Sequence, residues 1–164
     1  MVILGIDPGT AITGFGLIAK EGNHLRQITF GVIRTSPDIK MPLRLRKIHQ
    51  ELRLVIEEYR PDVMAVEQLF FNKNVRTALA VGQARGVVLM TGAEAGLEII
   101  EYTPLQVKTA VVGYGRAEKV QVQEMVRMLL CLREIPKPDD AADALAIAIC
   151  HAHSCKRLSI IREQ

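Results

Sequence analysis

The chain has 164 residues, of which 49% are hydrophobic and 24% charged, and its formal net charge is +3. This length suffices for one domain with a sizeable core, and no apolar run reaches the roughly 18 residues that a membrane-spanning helix needs. We therefore expect a single domain over residues 1–154 and a flexible C-terminal tail over 155–164, in a cytoplasmic protein without a membrane segment. The three cysteines are odd in number and form no C-x-x-C pair, which also favours a reducing compartment.

The first element is an apolar run from Val2 to Ile6, which predicts a strand buried on both faces. Pro8-Gly9 ends this strand abruptly, so Asp7 stands at the carboxyl end of a core strand. A charge at such a place is costly unless it has a partner. Asp7 either caps the following turn through its own side chain or belongs to a functional site, and the first strand alone leaves both interpretations open.

Two further strands, over 13–19 and 27–34, complete a three-stranded antiparallel meander. Residues 42–59 carry apolar side chains at helical spacing and predict an amphipathic helix. The next strand ends in Glu67. Because a strand, helix and strand in this order form a right-handed parallel crossover, we expect Glu67 and Asp7 to emerge at the same carboxyl edge of the sheet.

Residues 75–95 predict a long helix that is apolar on most sides and rich in glycine and alanine. A helix without a clear polar face must be covered on more than one side. One interpretation places it between the sheet and a second copy of the chain, which makes a homodimer. The other interpretation sandwiches it within one domain.

A fifth strand over 97–102 is followed by a short helix that begins at Thr103-Pro104, and then by a helix over 118–132. The pattern as a whole predicts an α/β fold with a five-stranded mixed sheet, in which the antiparallel meander is joined by two parallel strands and helices flank both. Lys119 lies near the start of its helix, where the helix dipole disfavours a cation.

The last predicted helix covers 138–153 and opens with acidic residues. Asp139 or Asp140 suits an ordinary N-cap. Asp140 and Asp143 are three positions apart and therefore share one face of the helix. Asp143 lies in an otherwise apolar segment, where an unpaired carboxylate would be expensive.

Four carboxylates are therefore expected to converge, and these are Asp7, Glu67, Asp140 and Asp143. Like charges packed together repel unless a cation neutralises them, and all-oxygen ligands favour Mg²⁺ or Mn²⁺. Such a cluster can hold two divalent ions that activate water and stabilise the leaving oxygen in a phosphoryl displacement. We predict that the four histidines, at 24, 49, 151 and 153, are structural or surface residues.

Basic residues occur in two windows that contain no acid, and either ordinary surface charge or a polyanion-binding face explains them. These residues are Lys73, Arg76 and Arg85 in the first window and Lys108 and Arg116 in the second. Phe70 and Phe71 are adjacent, so at least one of these rings is expected to be exposed.

Several separated motifs together resemble the RuvC family of Holliday junction resolvases over residues 2–153. They are Ile-Leu-Gly-Ile-Asp-Pro-Gly-Thr at 3–10, Val-Glu-Gln at 66–68, Gly-Gln-Ala-Arg-Gly at 82–86, Gln-Val-Lys at 106–108, Ala-Glu-Lys at 117–119 and Asp-Ala-Ala-Asp-Ala-Leu-Ala-Ile-Ala at 140–148.

The resemblance implies an RNase H-like fold, a homodimer, and Mg²⁺-dependent paired nicks in a four-way DNA junction during recombination and repair. By motif position it implies metal ligands at Asp7, Glu67, Asp140 and Asp143. It further implies phosphate-binding or catalytic lysines at Lys108 and Lys119, a base-stacking aromatic at Phe70, and cooperation with the RuvA–RuvB branch-migration complex.

Two alternatives belong to other functional classes. One is a non-catalytic junction-binding module of the same fold, although retained acids are unfavourable for a protein that only binds polyanions. The other is a fragment of an actin-like phosphotransferase, because Asp-Pro-Gly-Thr also resembles the phosphate loop of those enzymes. Such enzymes need two domains around a nucleotide, and this chain has the length of one.

Overall fold

The computed structural model describes the backbone of residues 1–68 and 75–162, and the side chains of 1–68 and 78–155. Ten elements follow one another along the chain. They are β1 (Val2–Asp7), β2 (Ile12–Glu21), β3 (His24–Arg34), α1 (Met41–Tyr59), β4 (Val63–Glu67), α2 (Val75–Glu94), β5 (Glu98–Tyr102), α3 (Pro104–Val112), α4 (Lys119–Leu129) and α5 (Asp139–Arg162).

The five strands form one mixed sheet in the order β3-β2-β1-β4-β5. β1 pairs antiparallel with β2, and β2 pairs antiparallel with β3. β4 lies parallel to β1 on its other side, and β5 lies parallel to β4. The predicted architecture of an antiparallel meander joined by two parallel strands is therefore confirmed.

Alternation along β1 divides its side chains between two apolar layers, since successive residues of a strand point to opposite faces. Leu4 and Ile6 pack in the layer beneath α1 and α2. Ile3 packs in the opposite layer, which α3, α4 and α5 cover. Asp7 shares the parity of Ile3 and Gly5, so its side chain is directed toward the α5 side of the sheet.

Glycines in β1 and β2 allow α5 to lie directly on the sheet. A Cβ atom added to Gly5 would stand 2.1 Å from the carbonyl oxygen of Ala144, and one added to Gly14 would stand 2.0 Å from that of Asp140. Both clashes are with helix backbone, which has little freedom to move away. The separation between α5 and the sheet is therefore set by backbone contact at these two positions.

Two predicted helix ends differ from the observed ones by more than one residue. α4 ends at Leu129 and not at residue 132, because Leu130 caps it and Cys131 adopts a left-handed conformation with φ of 52°. α5 continues through Arg162, past residue 153, where the predicted helix ends, and into the predicted tail that begins at residue 155. Residues 139–162 contain neither glycine nor proline, so nothing in the sequence interrupts the helix there.

Within the part of the chain that the structure describes, no helix is both long and apolar enough to cross a lipid bilayer. Cys131, Cys150 and Cys155 are free thiols.

Candidate active site

Asp7 and Glu67 end two neighbouring parallel strands. Asp7 is the last residue of β1 and Glu67 the last of β4, and the register pairs Ile6 with Val66. Both carboxylates therefore leave the sheet at the same edge. Val63 and Ala65 pack in the layer that α5 covers, so the alternation of β4 directs Glu67 to the same face as Asp7.

The first turns of α5 bring two more acids to this edge. Gly14 of β2 pairs with Asp7 in the sheet register, and it is Gly14 that contacts the backbone of Asp140. Asp143 lies nearly one turn further along the same helix face. The close approach of α5 to β2 thus places both aspartates above the end of β1.

The electrostatic effects on Asp7 reflect this convergence. Burial and the negative charges of Glu67, Asp143 and Asp140 together raise the pKa of Asp7 to about 7, against the opposing Lys119 ammonium. Burial likewise raises the pKa of Glu67 to about 7, with Asp143 contributing in the same direction. The structure therefore brings the four predicted carboxylates into one cluster, which we call the acid cluster.

Lys119 forms ion pairs at the acid cluster. Its Nζ atom lies 3.0 Å from Oδ2 of Asp143 and 3.3 Å from Oδ2 of Asp139. Burial lowers the pKa of Lys119, but hydrogen bonding and attraction to Asp143 and Asp139 outweigh this and raise it overall. These contacts explain why a lysine stands at the first position of α4 against the helix dipole.

A cavity of about 230 Å³ opens beside the acid cluster, and we call it the lysine pocket. Its charged lining consists of Glu67, Asp143, Lys108 and Lys119, and its walls include the apolar side chains of α3 and α4. Lys108 lowers the pKa of Glu67, which places its ammonium within electrostatic reach of that carboxylate. The pocket therefore presents both signs of charge to one volume that is open to solvent.

The chemistry of these donors fits a hard divalent cation. Carboxylate oxygens are the ligands that Mg²⁺ and Mn²⁺ prefer, and burial of several like charges calls for a neutralising ion. Within residues 1–68 and 78–155, no three His, Cys, Asp or Glu side chains are spaced closely enough to enclose an ion. In this arrangement Lys119 supplies positive charge to the cluster, and ion binding would require the carboxylates to draw together.

The other predicted DNA-binding residues have different surroundings. Arg85 forms an ion pair with Glu101 of β5, and its Nε is the buried side-chain donor that lacks a partner among the described residues. Arg116 is exposed in the connection between α3 and α4. Arg76 lies in the first turn of α2 but its side chain is outside the described residues, as are Phe70 and Lys73 altogether.

Two histidines have partners that agree with structural roles. Nδ1 of His151 lies 2.9 Å from the hydroxyl of Tyr102, and its Nε2 lies 3.0 Å from the thiol of Cys155. Nδ1 of His49 lies 2.9 Å from the hydroxyl of Thr91. These contacts join α5 to β5 and α1 to α2, away from the acid cluster.

A second cavity, of about 540 Å³, adjoins the acid cluster, and sequence reasoning missed it. We call it the arginine pocket, because Arg44 of α1 lines it together with Thr10, Ala80 and Asp140. Arg44 is one of several charges on the polar side of an amphipathic helix. No feature of the sequence distinguishes it from the others.

A family model described as crossover junction endodeoxyribonuclease RuvC matches residues 3–151. The chain belongs to the RuvC family. The RuvC of Desulforamulus reducens, named a crossover junction endodeoxyribonuclease, is 63% identical over 152 residues and is matched over 93% of either chain. The RuvC of Heliobacterium modesticaldum is also 63% identical, over 154 residues, with 94% of this chain and 95% of that one covered.

Solved RuvC structures agree with this assignment. The Thermus thermophilus RuvC structure matches with a TM-score of 0.89 and 41% identity, and the match covers 96% of each chain. T. thermophilus RuvC in complex with a Holliday junction substrate matches with a TM-score of 0.91 at the same identity and coverage. The mixed sheet and its flanking helices are thus the RNase H-like fold of RuvC, as the resemblance implied.

Proposed function

We propose that this chain is a structure-selective endonuclease that resolves four-way Holliday junctions by paired symmetric nicks in recombination and repair. The observation that carries the proposal is its 41% identity, over 96% of the chain, to a RuvC solved in complex with a Holliday junction substrate. The acid cluster at the carboxyl edge of the sheet supports a hydrolytic role, because a protein that only binds DNA gains nothing from buried like charges facing a polyanion.

The proposal assigns Asp7, Glu67, Asp140 and Asp143 as ligands of Mg²⁺, with Mn²⁺ as a substitute and two ions in each site. When bound, the ions supply a water of lowered pKa and stabilise charge on the phosphoryl oxygens. Asp7 emerges from the central strand among the other three acids and holds the middle of this set.

Lys108 and Lys119 face the same cavity and are assigned to the scissile phosphate. Lys119 then exchanges its contacts with Asp143 and Asp139 for a phosphate oxygen. The assignment also includes Phe70 as the ring that stacks on an unpaired base, with Lys73, Arg76 and Arg116 as backbone contacts. Arg85 has a weaker place in this list, because Glu101 already pairs with its guanidinium.

The proposal also includes a homodimer that forms through α2, action together with a RuvA–RuvB branch-migration complex, and a cytoplasmic location. Leu79 and Met90 support the dimer, since 65% and 47% of their surfaces are exposed on this helix. Two sites related by a two-fold axis can address two symmetric strands of one junction.

The test uses a labelled mobile four-way junction and a plain duplex of the same sequence, each with and without Mg²⁺. We expect nicks at symmetric positions in two strands of like polarity, on the junction and only with the ion. Asp7→Asn should retain junction binding and reduce cleavage at least ~100-fold, because it removes a charged ligand at the reacting centre.

Glu58→Gln is the matched control, because Glu58 is an exposed acid on α1 away from the cluster, and it should cut like the wild type. Cutting of the junction by Asp7→Asn at the wild-type rate would contradict the assignment of the ligands. Binding of the junction by the wild type without any nicks would instead support the non-catalytic module.

A further inference from the structure

The arginine pocket lies across the acid cluster from the lysine pocket. Its lining comes from the turn after β1, from α1 and α2, and from Asp140 at the start of α5. The lysine pocket is lined by α3, α4 and the Asp143 side of the same helix turn. The acids therefore stand between two cavities, one lined by two lysines and the other by one arginine.

Two buried threonines hold Arg44 in place. Nε of Arg44 donates to Oγ1 of Thr35 at 2.7 Å, and that hydroxyl donates to the carbonyl of Thr10 at 2.5 Å. Thr35 and Thr10 are 6% and 7% exposed, so the threonine partners of this chain of hydrogen bonds are shielded from water. The guanidinium is thus oriented by the same turn that follows Asp7.

The hydrogen-bonding capacity of Arg44 exceeds what its threonine partner uses. A guanidinium has five N–H donors, and the bond to Thr35 uses the one on Nε. Among the described side chains, no carboxylate forms a salt bridge with Arg44, although Asp140 lines the same cavity. A half-buried guanidinium with free donors is suited to a planar oxyanion, which it binds through two parallel hydrogen bonds.

We propose that Arg44 binds a backbone phosphate of the cleaved DNA strand, next to the scissile phosphate and on the side opposite Lys108 and Lys119. The inference rests on the proposed nuclease function and adds a positioning residue to it. A strand that crosses the carboxyl edge of the sheet would then be held on both sides of the acid cluster.

A DNA phosphate suits this place better than a free anion does. Asp140 and the neighbouring acids repel a small anion that diffuses into the cavity alone. A phosphate in a strand is brought there by the contacts of its neighbours, so the repulsion is opposed by binding elsewhere along the strand. Arg44 then fixes the strand so that the adjacent phosphate lies over the acids.

The experiment replaces single phosphates of a four-way junction with neutral methylphosphonates, one position at a time on either side of the scissile phosphate. Single-turnover cleavage is measured for the wild type and for Arg44→Gln. At one flanking position we expect the neutral phosphate to slow the wild type about tenfold, the effect of one lost charged hydrogen bond. Arg44→Gln should be slowed about tenfold on the unmodified junction and no further by that substitution.

The matched control is Arg46→Gln, which removes an exposed arginine of the same helix. This variant should keep the wild-type response at every position. Arg44→Lys should recover part of the rate, because it restores the charge without the planar fork. Thr35→Val keeps the charge of Arg44 but removes its hydrogen-bond partner, and its cleavage should likewise be insensitive to the methylphosphonate at that one position. This variant provides the same test if Arg44→Gln has a lowered thermal midpoint.

The proposal would be overturned if every methylphosphonate position slowed Arg44→Gln and the wild type by the same factor. It would also be overturned if Arg44→Gln cut the unmodified junction at the wild-type rate. Cleavage of the unmodified junction by the wild type distinguishes failure of the Arg44 proposal from failure of the proposed nuclease function. If that reaction yields no nicks, the nuclease function fails. If it proceeds and the effects are additive, only the role of Arg44 fails.

Discussion

Lys119 contacts two carboxylates from the first position of α4. Its charge there stabilises the acid cluster although it interacts unfavourably with the helix dipole. Its neighbours Asp7 and Glu67 are more deeply buried and both have a raised pKa. One ammonium beside several carboxylates leaves a surplus of negative charge. The protonation of these acids must therefore respond to any cation that enters the cluster.

The metal-free chain should lose stability as pH rises, because Asp7 and Glu67 are buried together. The pKa values of Asp7 and Glu67 rise from 3.8 and 4.5 to about 7. Between about pH 4 and 7 the folded chain therefore holds protons that the unfolded chain has released, and the free energy of unfolding decreases as pH rises. We expect the thermal midpoint in EDTA to fall across this window, and Mg²⁺ to raise it most at about pH 8.

Asp7→Asn should make this dependence on pH shallower, because the amide does not titrate and one repelling charge is lost. Circular dichroism melts with EDTA and with Mg²⁺ at each pH provide the measurement. A metal-free midpoint that stays level or rises between about pH 4 and 7 would contradict the raised pKa values of the two acids.

Single residues differ in how much the sequence says about them. Asp7 and Glu67 could be predicted because a carboxylate directly after a buried strand is conspicuous. Lys119 could be singled out because it opposes a helix dipole. The pairing of Arg85 with Glu101 could not be predicted, since it depends on how α2 lies across β5. The sequence around Arg44 gives no sign of its role, because Arg44 is oriented by hydrogen bonds that involve threonines of two other segments.

Among the elements, α5 has the strongest influence on the site, because its backbone touches β1 at Gly5 and β2 at Gly14. Gly5→Ala would place a Cβ atom 2.1 Å from the carbonyl oxygen of Ala144. We expect a loss of about 3 kcal/mol in the free energy of unfolding and weaker cleavage, because α5 must move away with Asp140 and Asp143. Urea unfolding and junction cleavage measure the two effects.

Gly31→Ala is the control for this change, because its Cβ would meet the far edge of the Phe15 ring at 2.8 Å and not a backbone atom. The ring can shift, so the loss should be about 1 kcal/mol or less, with normal cleavage. Equal losses for both variants would mean that α5 can be displaced as easily as one side chain.

Most elements could be predicted from periodicity, and their ends less well. α1 ends at Tyr59 and Arg60 caps it, as expected for a helix that stops before a proline, here Pro61. The early end of α4 depends on the left-handed backbone of Cys131, a residue type that gives no such warning. The pattern also predicted strands β2 and β3 shorter than observed, because the turn between them takes only two residues, 22 and 23.

The proposed dimer places its interface on α2. Ala84 and Val88 are buried against the sheet, whereas Leu79 and Met90 are largely exposed. Leu79→Glu should convert a dimer into a monomer in sedimentation velocity, because a carboxylate would be buried in an apolar interface. Junction cleavage should fall with it, since paired nicks need two sites.

Leu54→Glu is the matched control, because Leu54 is 58% exposed on α1. It should leave the sedimentation coefficient unchanged. A fully dimeric Leu79→Glu protein would exclude this part of α2 from the interface.

The hydrogen bond from Oγ1 of Thr10 to the carbonyl of Ala80 has a consequence for such a dimer. It ties the turn that follows Asp7 to the same helix that we assign to the interface. If one subunit displaced α2 when it bound its DNA strand, this one hydrogen bond would pass the displacement directly to the turn beside Asp7. The timing of the two nicks, and not only their symmetry, would then be under the control of the interface.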